Sequence, residues 1–255
     1  MLLHNPQGHY RFLKGIAPYS CGVIADEGFE IVHVTLATPP PWREGFTRVA
    51  QHLESEGRPR TALCGMQLRC PAPYSIEGFV EFNHGYCSVL EEWGLYVDEL
   101  NPLARTNVAP AHTPPSEPKL FAFSYTTPLQ ADDAAARAAP KTFVVAGAGE
   151  LLEGHLDSSG ILRRGETSSE ALREKATYVV DVMNERLQDL QADPAGISQI
   201  DVYTVHSLDS TLEDVVVAGL SASHLRGLHW YPSRPPIKEI EFEMDLRGVR
   251  RELRI

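Results

Sequence analysis

Two arginines and an alternating run of carboxylates are the residues best suited to chemistry in this chain. Arg105 follows an Asn-Pro turn and precedes an apolar strand, TNVAP. A guanidinium there can meet a carboxylate through two parallel hydrogen bonds and fix its orientation; an intramolecular ion pair is the plain alternative. Arg234 stands among Ser233, Pro235 and Pro236, whose stiff backbone lowers the cost of ordering a contact. Trp230 and Tyr231 could wall a small planar ligand beside it, and His229 adjoins them. The alternative for Arg234 is a proline-and-charge device that protects a sheet edge. Glu241, Glu243 and Asp245 alternate, so on a strand all share one face. Crowded carboxylates can push one of their number toward a raised pKa and acid or base work. Arg247, Arg250 and Arg251 could instead neutralise a solvated face.

Other chemistries find less support. The histidines, at 4, 9, 33, 52, 84, 112, 155, 206, 224 and 229, form no H-x-x-x-H or H-E-x-x-H pattern, so no metal site is expected. The AGAGE segment at 146–150 lacks the G-x-G-x-x-G spacing and is expected to be a tight strand turn. Cysteines 21, 64, 70 and 87 form no C-x-x-C pair. They fit free thiols in a cytoplasmic protein.

These residues need a framework, and 255 residues can supply a sizeable core without disulfides. Hydrophobic residues are 43% and charged residues 22%, an ordinary globular balance. Net charge −11 with no separate basic patch argues against nucleic acid as a partner. No apolar run is long enough to cross a membrane, and the start, MLLHNPQGHYRFLKG, is too polar to read as a signal peptide.

The strongest compositional break falls between Ala109 and Lys141, rich in proline and then in alanine. It suggests one domain at 1–128, a linker at 129–140 and a second domain at 141–255. In the first, residues 30–38 read as a strand, 42–56 as a helix, TALCGMQLRC as a strand, EGFVEFNHGYCSVLEEWG as a helix, and RTNVAP and LFAFSY as short strands. In the second, 142–149 is a strand, 167–190 a helix capped by Thr167 or Ser168, 197–206 a strand and STLEDVVVAGL a shorter helix. GLHWY and IKEIEFEMDLRG supply the closing strands. The repeated order predicts an α+β fold of two similar units, each a sheet with helices on one face. In the last strand Ile240, Phe242, Met244 and Leu246 are expected to meet the helices. Its polar face would then meet another sheet, a partner subunit or a cleft.

This order of motifs resembles the RidA/YjgF family of imine and enamine deaminases. APYS at 17–20 is similar to the family's GPYS, FVEFNHGY at 79–86 to its F-x-x-x-N-x-x-Y helix, and NPLARTNV at 101–108 to its P-A-R-[ST]-x-V motif. SRPPIKEIEFEMD at 233–245 resembles the arginine motif joined to the closing V-E-I-E strand. The first half has no carboxylate in its closing strand LFAFSY, and the second lacks a GPYS element. The resemblance implies two tandem chorismate-mutase-like domains with mostly antiparallel sheets, assembled as a homotrimer with clefts between neighbours. It implies that Arg105 or Arg234 clamps a substrate carboxylate, Tyr19 lines the pocket, and Glu243 positions the attacking water. His229 and Trp230 join the expected substrate-binding set.

The expected activity is a cofactor-independent hydrolytic deamination of a small enamine or imine carboxylate, with 2-aminomuconate-type dicarboxylates one candidate class. The rivals are a chorismate-type hydrolase on the same scaffold and a non-enzymatic ligand-binding or assembly protein. Release of ammonia or of pyruvate separates the first two.

Overall fold

The computed structural model describes residues 1–130, 133–152, 157–208, 211–221 and 228–255. His155 and His224 lie outside these residues, as do positions 131–132 of the expected linker. The strands are β1 (Leu2–Asn5), β2 (Tyr10–Leu13), β3 (Gly22–Ala25), β4 (Phe29–Thr35), β5 (Leu63–Arg69), β6 (Ala104–Pro110), β7 (Lys119–Pro128), β8 (Phe143–Gly149), β9 (Gln199–Tyr203), β10 (His229–Tyr231), β11 (Ser233–Arg234), β12 (Glu243–Gly248) and β13 (Arg251–Arg254). The helices are α1 (Trp42–Ser55), α2 (Ile76–Glu92), α3 (Ala134–Ala138) and α4 (Ser169–Leu190). The shorter helix expected after β9 is a π-helical turn, Leu212–Val217.

The strands form two sheets, ordered β1-β2-β3-β8-β12-β9-β10 and β11-β6-β5-β7-β4-β13. Within them one pattern recurs. The run β4-β7-β5-β6 has two antiparallel pairings and then a parallel one. The run β8-β12-β9-β10 has the same senses in the same order. Each sheet nevertheless draws on both ends of the chain. β3 pairs with β8, while β13 pairs with β4 and β11 with β6. The N-terminal strands β1–β3 were not anticipated, because each is only four residues long and too short to show a period.

Alternation in β12 decides the layering. Phe242, Met244 and Leu246 are buried against Ala176, Val179, Met183 and Leu187 of α4. Burying an apolar side chain of this size stabilises by about 1.5–3 kcal/mol. Helix α4 starts where Ser168 Oγ accepts the Ala171 N–H at 3.2 Å, with Glu170 in the first turn. Helices α1 and α2 cover the outer face of the other sheet through Phe46, Val49, Leu53, Tyr86 and Leu90. The inner faces of the two sheets meet each other around Tyr10, Phe12, Val23, Ile31, Cys64 and Ala146. The polar face of β12 is therefore covered by the second sheet of the same chain. The AGAGE glycines also differ from expectation: Gly147 and Gly149 sit in extended β8, not in a turn.

Candidate active site

Arg105, the second residue of β6, is only 3% exposed. Its Nη1 donates to Asn83 Oδ1 at 2.8 Å. Its guanidinium carbon lies 4.7 Å from the ring centre of Tyr86, 5.2 Å from Tyr19, 5.7 Å from Phe79 and 6.0 Å from Phe82. The FVEFNHGY segment thus has a physical reason. Phe79, Asn83 and Tyr86 fall on one face of α2, where they surround and orient one cation. The helix is started by Ser75, whose Oγ accepts the Gly78 N–H at 3.1 Å. Tyr19 comes from the loop between β2 and β3. That loop is tied to the start of β6 by Ser20, whose N–H donates to Leu103 O and whose hydroxyl donates to Pro102 O. Among the described residues no carboxylate lies within ion-pair distance of Arg105, so most of its donors remain for a ligand.

Glu243 opens β12, opposite Gly149 of β8 and Tyr203 of β9. It is 5% exposed and, among the described residues, has no hydrogen-bond partner for its carboxyl. A Cβ at Gly147 would fall onto Glu243 Oε1, which is why that strand position carries no side chain. The Gly147 N–H is held by Thr106 Oγ1 at 3.1 Å. Burial drives the Glu243 carboxyl well above the ordinary carboxylate range, and Asp245 and Glu150 push the same way. Arg105 and Arg186 pull against that shift without cancelling it.

Both residues line one cleft of about 250 Å³, within a single chain. Tyr19, Asn107 and Arg186 join them, Ile237 and Ile240 form an apolar wall, and exposed Lys14 stands at the cleft. The chain is strongly acidic overall, yet this cleft gathers cations around one buried carboxyl whose pKa is raised, and it suits an anionic ligand.

Three expected site residues lie elsewhere. Arg234 is exposed, and its Nη1 is 3.5 Å from the Glu241 carboxylate, which also meets His206 Nε2 at 2.7 Å. Only the following residues, Pro236 and Ile237, reach the cleft. His229 is exposed and pairs with Asp201 at 3.3 Å, which raises its pKa. Trp230 is 43% exposed and donates to Thr204 O at 3.1 Å. His229 and Trp230 sit in β10 at the edge of the first sheet and Arg234 in β11 at the edge of the second, so adjacency in sequence did not bring them to the cleft. Of the other strand carboxylates, Asp245 accepts from Gln67 and from Tyr203, and burial and Asp201 raise it to about 7. Among the described residues no cluster of three or more His, Cys, Asp or Glu could hold a metal ion, and the four cysteines are unpaired.

Sequence reasoning missed Asn107 and Arg186. Asn107 occupies the variable place in the ARTNV segment and carries no motif signal of its own. Arg186 could have been found from the spacing Tyr178, Val182, Arg186, one stripe of α4 that lines the cleft.

The model of the 2-aminomuconate deaminase CnbZ family matches residues 2–253 of this chain. The 2-amino-5-chloromuconate deaminase of Comamonas testosteroni is 39% identical over 247 residues, covering 96% of this chain and 95% of that protein. Among solved structures, a chorismatase aligns with a TM-score of 0.48 at 12% identity, over 90% of this chain and 77% of its own. A Rid-family protein of unknown function from Yersinia pestis aligns with a TM-score of 0.31 at 16% identity, over 43% of this chain and 78% of its own. No helix among the described residues is long and apolar enough to cross a membrane. With the family model spanning nearly the whole chain, and a relative of this similarity over nearly all of both proteins, the chain belongs to the 2-aminomuconate deaminase CnbZ family.

Proposed function

We propose that this protein hydrolytically deaminates a 2-aminomuconate-type enamine carboxylate, with Arg105 and Glu243 as its principal catalytic residues. The observation that carries the reading is their meeting in one cleft: a buried guanidinium with free donors and a buried carboxyl whose pKa is driven up. Deaminase function is what the family and the Comamonas testosteroni relative support.

The chemistry follows from those two states. Arg105 binds the carboxylate next to the C–N carbon and aligns the conjugated chain over Glu243. The protonated Glu243 gives its proton to the enamine carbon, and the nitrogen lone pair closes to C=N. Water then adds to the C=N carbon, adjacent to the one just protonated, while the Glu243 carboxylate takes one of its protons. Proton transfer to nitrogen lets ammonia leave with the C–N electrons, and loss of the hydroxyl proton leaves the 2-oxo acid. The sum is enamine plus water giving oxo acid plus ammonia. Every step uses acid–base chemistry of the chain and substrate, so the reaction as written calls for no cofactor.

The test is ammonia release from freshly generated 2-aminomuconate, after subtraction of spontaneous hydrolysis. Replacing Glu243 by Gln should abolish most of the acceleration. Wild-type protein that accelerates no enamine or imine, or that releases pyruvate from chorismate instead, overturns the reading.

The proposal extends to architecture and setting. It takes the chain as two Rid-like units divided near 129–140 with their end strands exchanged, assembled as a homotrimer in the cytoplasm. The recurring strand order supports the two units. Light scattering at the mass of one chain, 28.2 kDa, at all concentrations would exclude the trimer.

A further inference from the structure

Arg186 projects from α4 into the cleft, apart from the aromatic surround of Arg105. Its Nη1 donates to the carbonyl of Ala146 in β8 at 2.9 Å, which fixes the head group. Its Nε is buried and has no partner, and among the described residues no carboxylate lies within ion-pair distance. Asn107 lines the same cleft from β6 and is 3% exposed. Both its amide nitrogen and its amide oxygen lack hydrogen-bond partners. Buried polar groups left unpaired in a native fold require an explanation, because each forgoes the hydrogen bonds it would make to water. A bound anion supplies one for the two donors, Arg186 Nε and Asn107 Nδ2. The electrostatics point the same way, since Arg105 and Arg186 both act on Glu243 and on Tyr19. The reacting position is thus under the influence of two separate cations.

A substrate with a single carboxylate would engage only one of them. We propose that Arg186, together with Asn107, binds the substrate carboxylate remote from the C–N carbon and makes the cleft selective for dicarboxylates. This inference rests on the reading of the cleft given above, in which Arg105 takes the nearer carboxylate. Arg186 is a specificity-determining residue on this view. It holds the far end of an extended acid so that the carbon to be attacked stays beside Glu243.

The test uses two stable ligands that differ in one end group, muconate and sorbate, titrated against the full-length protein at fixed ionic strength. Wild type should bind muconate more tightly than sorbate by about 10- to 100-fold, the range for hydrogen bonds to charged groups. Arg186→Met should remove most of that advantage while leaving sorbate affinity unchanged, and unchanged sorbate binding also reports an intact fold. Arg186→Lys keeps the charge without the fork and should restore part of the advantage. If Arg186→Met keeps the preference for muconate, or weakens both ligands equally, the subsite is refuted. If wild type discriminates between the ligands but releases no ammonia from 2-aminomuconate, the subsite stands and the deaminase reading fails.

Discussion

Replacing Glu243 by Gln separates the proposed acid role of this residue from its place in the fold. The substitution keeps the shape of the side chain and removes its ionisation. Burial and the neighbouring Asp245 and Glu150 raise the folded-state pKa of Glu243 well above the ordinary value. A carboxyl raised on folding contributes its stability fully below the unfolded pKa, and loses it as pH rises toward the folded one. Wild type should therefore lose stability relative to the variant from about pH 5 upward, by as much as about 1.4 kcal/mol per pH unit. For a chain of this size that is a widening gap in Tm of about 3–5 °C per pH unit. Other titrating groups are common to both proteins, so the difference isolates Glu243. Activity should move the other way: loss of the proton donor should reduce kcat by about 10²- to 10⁴-fold. The assays are thermal unfolding across about pH 5 to 8 and ammonia release at the same pH values. Parallel Tm curves for the two proteins would mean that Glu243 is ionised in the folded state throughout, and the proposed acid step would be wrong.

Gly147→Ala should fold but lower kcat sharply, because the new methyl occupies the place of Glu243 Oε1; circular dichroism and ammonia release check the two halves of that statement. Asn83→Ala should lower kcat/KM by about 10-fold, since Arg105 loses the acceptor that orients it, and the KM and kcat components will show whether substrate binding carries the loss. Arg234→Ala should leave activity unchanged and stability within about 0.5 kcal/mol, as expected of an exposed residue with a weak ion pair. Lys175→Met strands the buried Glu150 carboxylate, now bonded to Lys175 Nζ at 3.0 Å and to the N–H groups of Glu241 and Phe242. It should cost about 3–5 kcal/mol in a denaturant titration.

Local pattern was enough to find most elements. The 3.6-residue stripe located α1 and α4 within one or two residues, and alternation in the final strand correctly assigned Phe242, Met244 and Leu246 to the helix side, while Ile240, expected with them, packs with Phe79, Ile161 and Ile237 instead of α4. What local pattern cannot carry is the partner of a face or an edge. The first three strands are too short to announce themselves, and nothing in them indicates pairing with β8, more than a hundred residues away. Of the three covers open to the polar face of the last strand (another sheet, a partner subunit or a cleft), the structure shows a sheet of the same chain, a choice that alternation alone does not make.

The same distinction explains which site residues were legible. Arg105 and Glu243 stood in segments whose residue types resembled a known motif, and both reach the cleft. Arg234, His229 and Trp230 were joined to them by nearness in sequence, yet β10 and β11 lie on edges of different sheets. Strand β11 turns Arg234 toward Glu241, and only after Pro235 does the chain return to the cleft at Pro236 and Ile237. Arg186 was hidden for the opposite reason: an arginine late in a long amphipathic helix looks like any solvated charge. Its meaning depends on Ala146, Asn107 and Glu243, which come from three strands of two sheets. A carboxyl that is to be held protonated by burial, as proposed for Glu243, requires a closed interior, and the proposed anion site beside it requires cations brought in from separate elements. The face-to-face packing of two sheets, each drawing strands from both ends of the chain, meets both requirements. That is why the site assembles from residues 138 positions apart, Arg105 to Glu243, and not from neighbours along a strand.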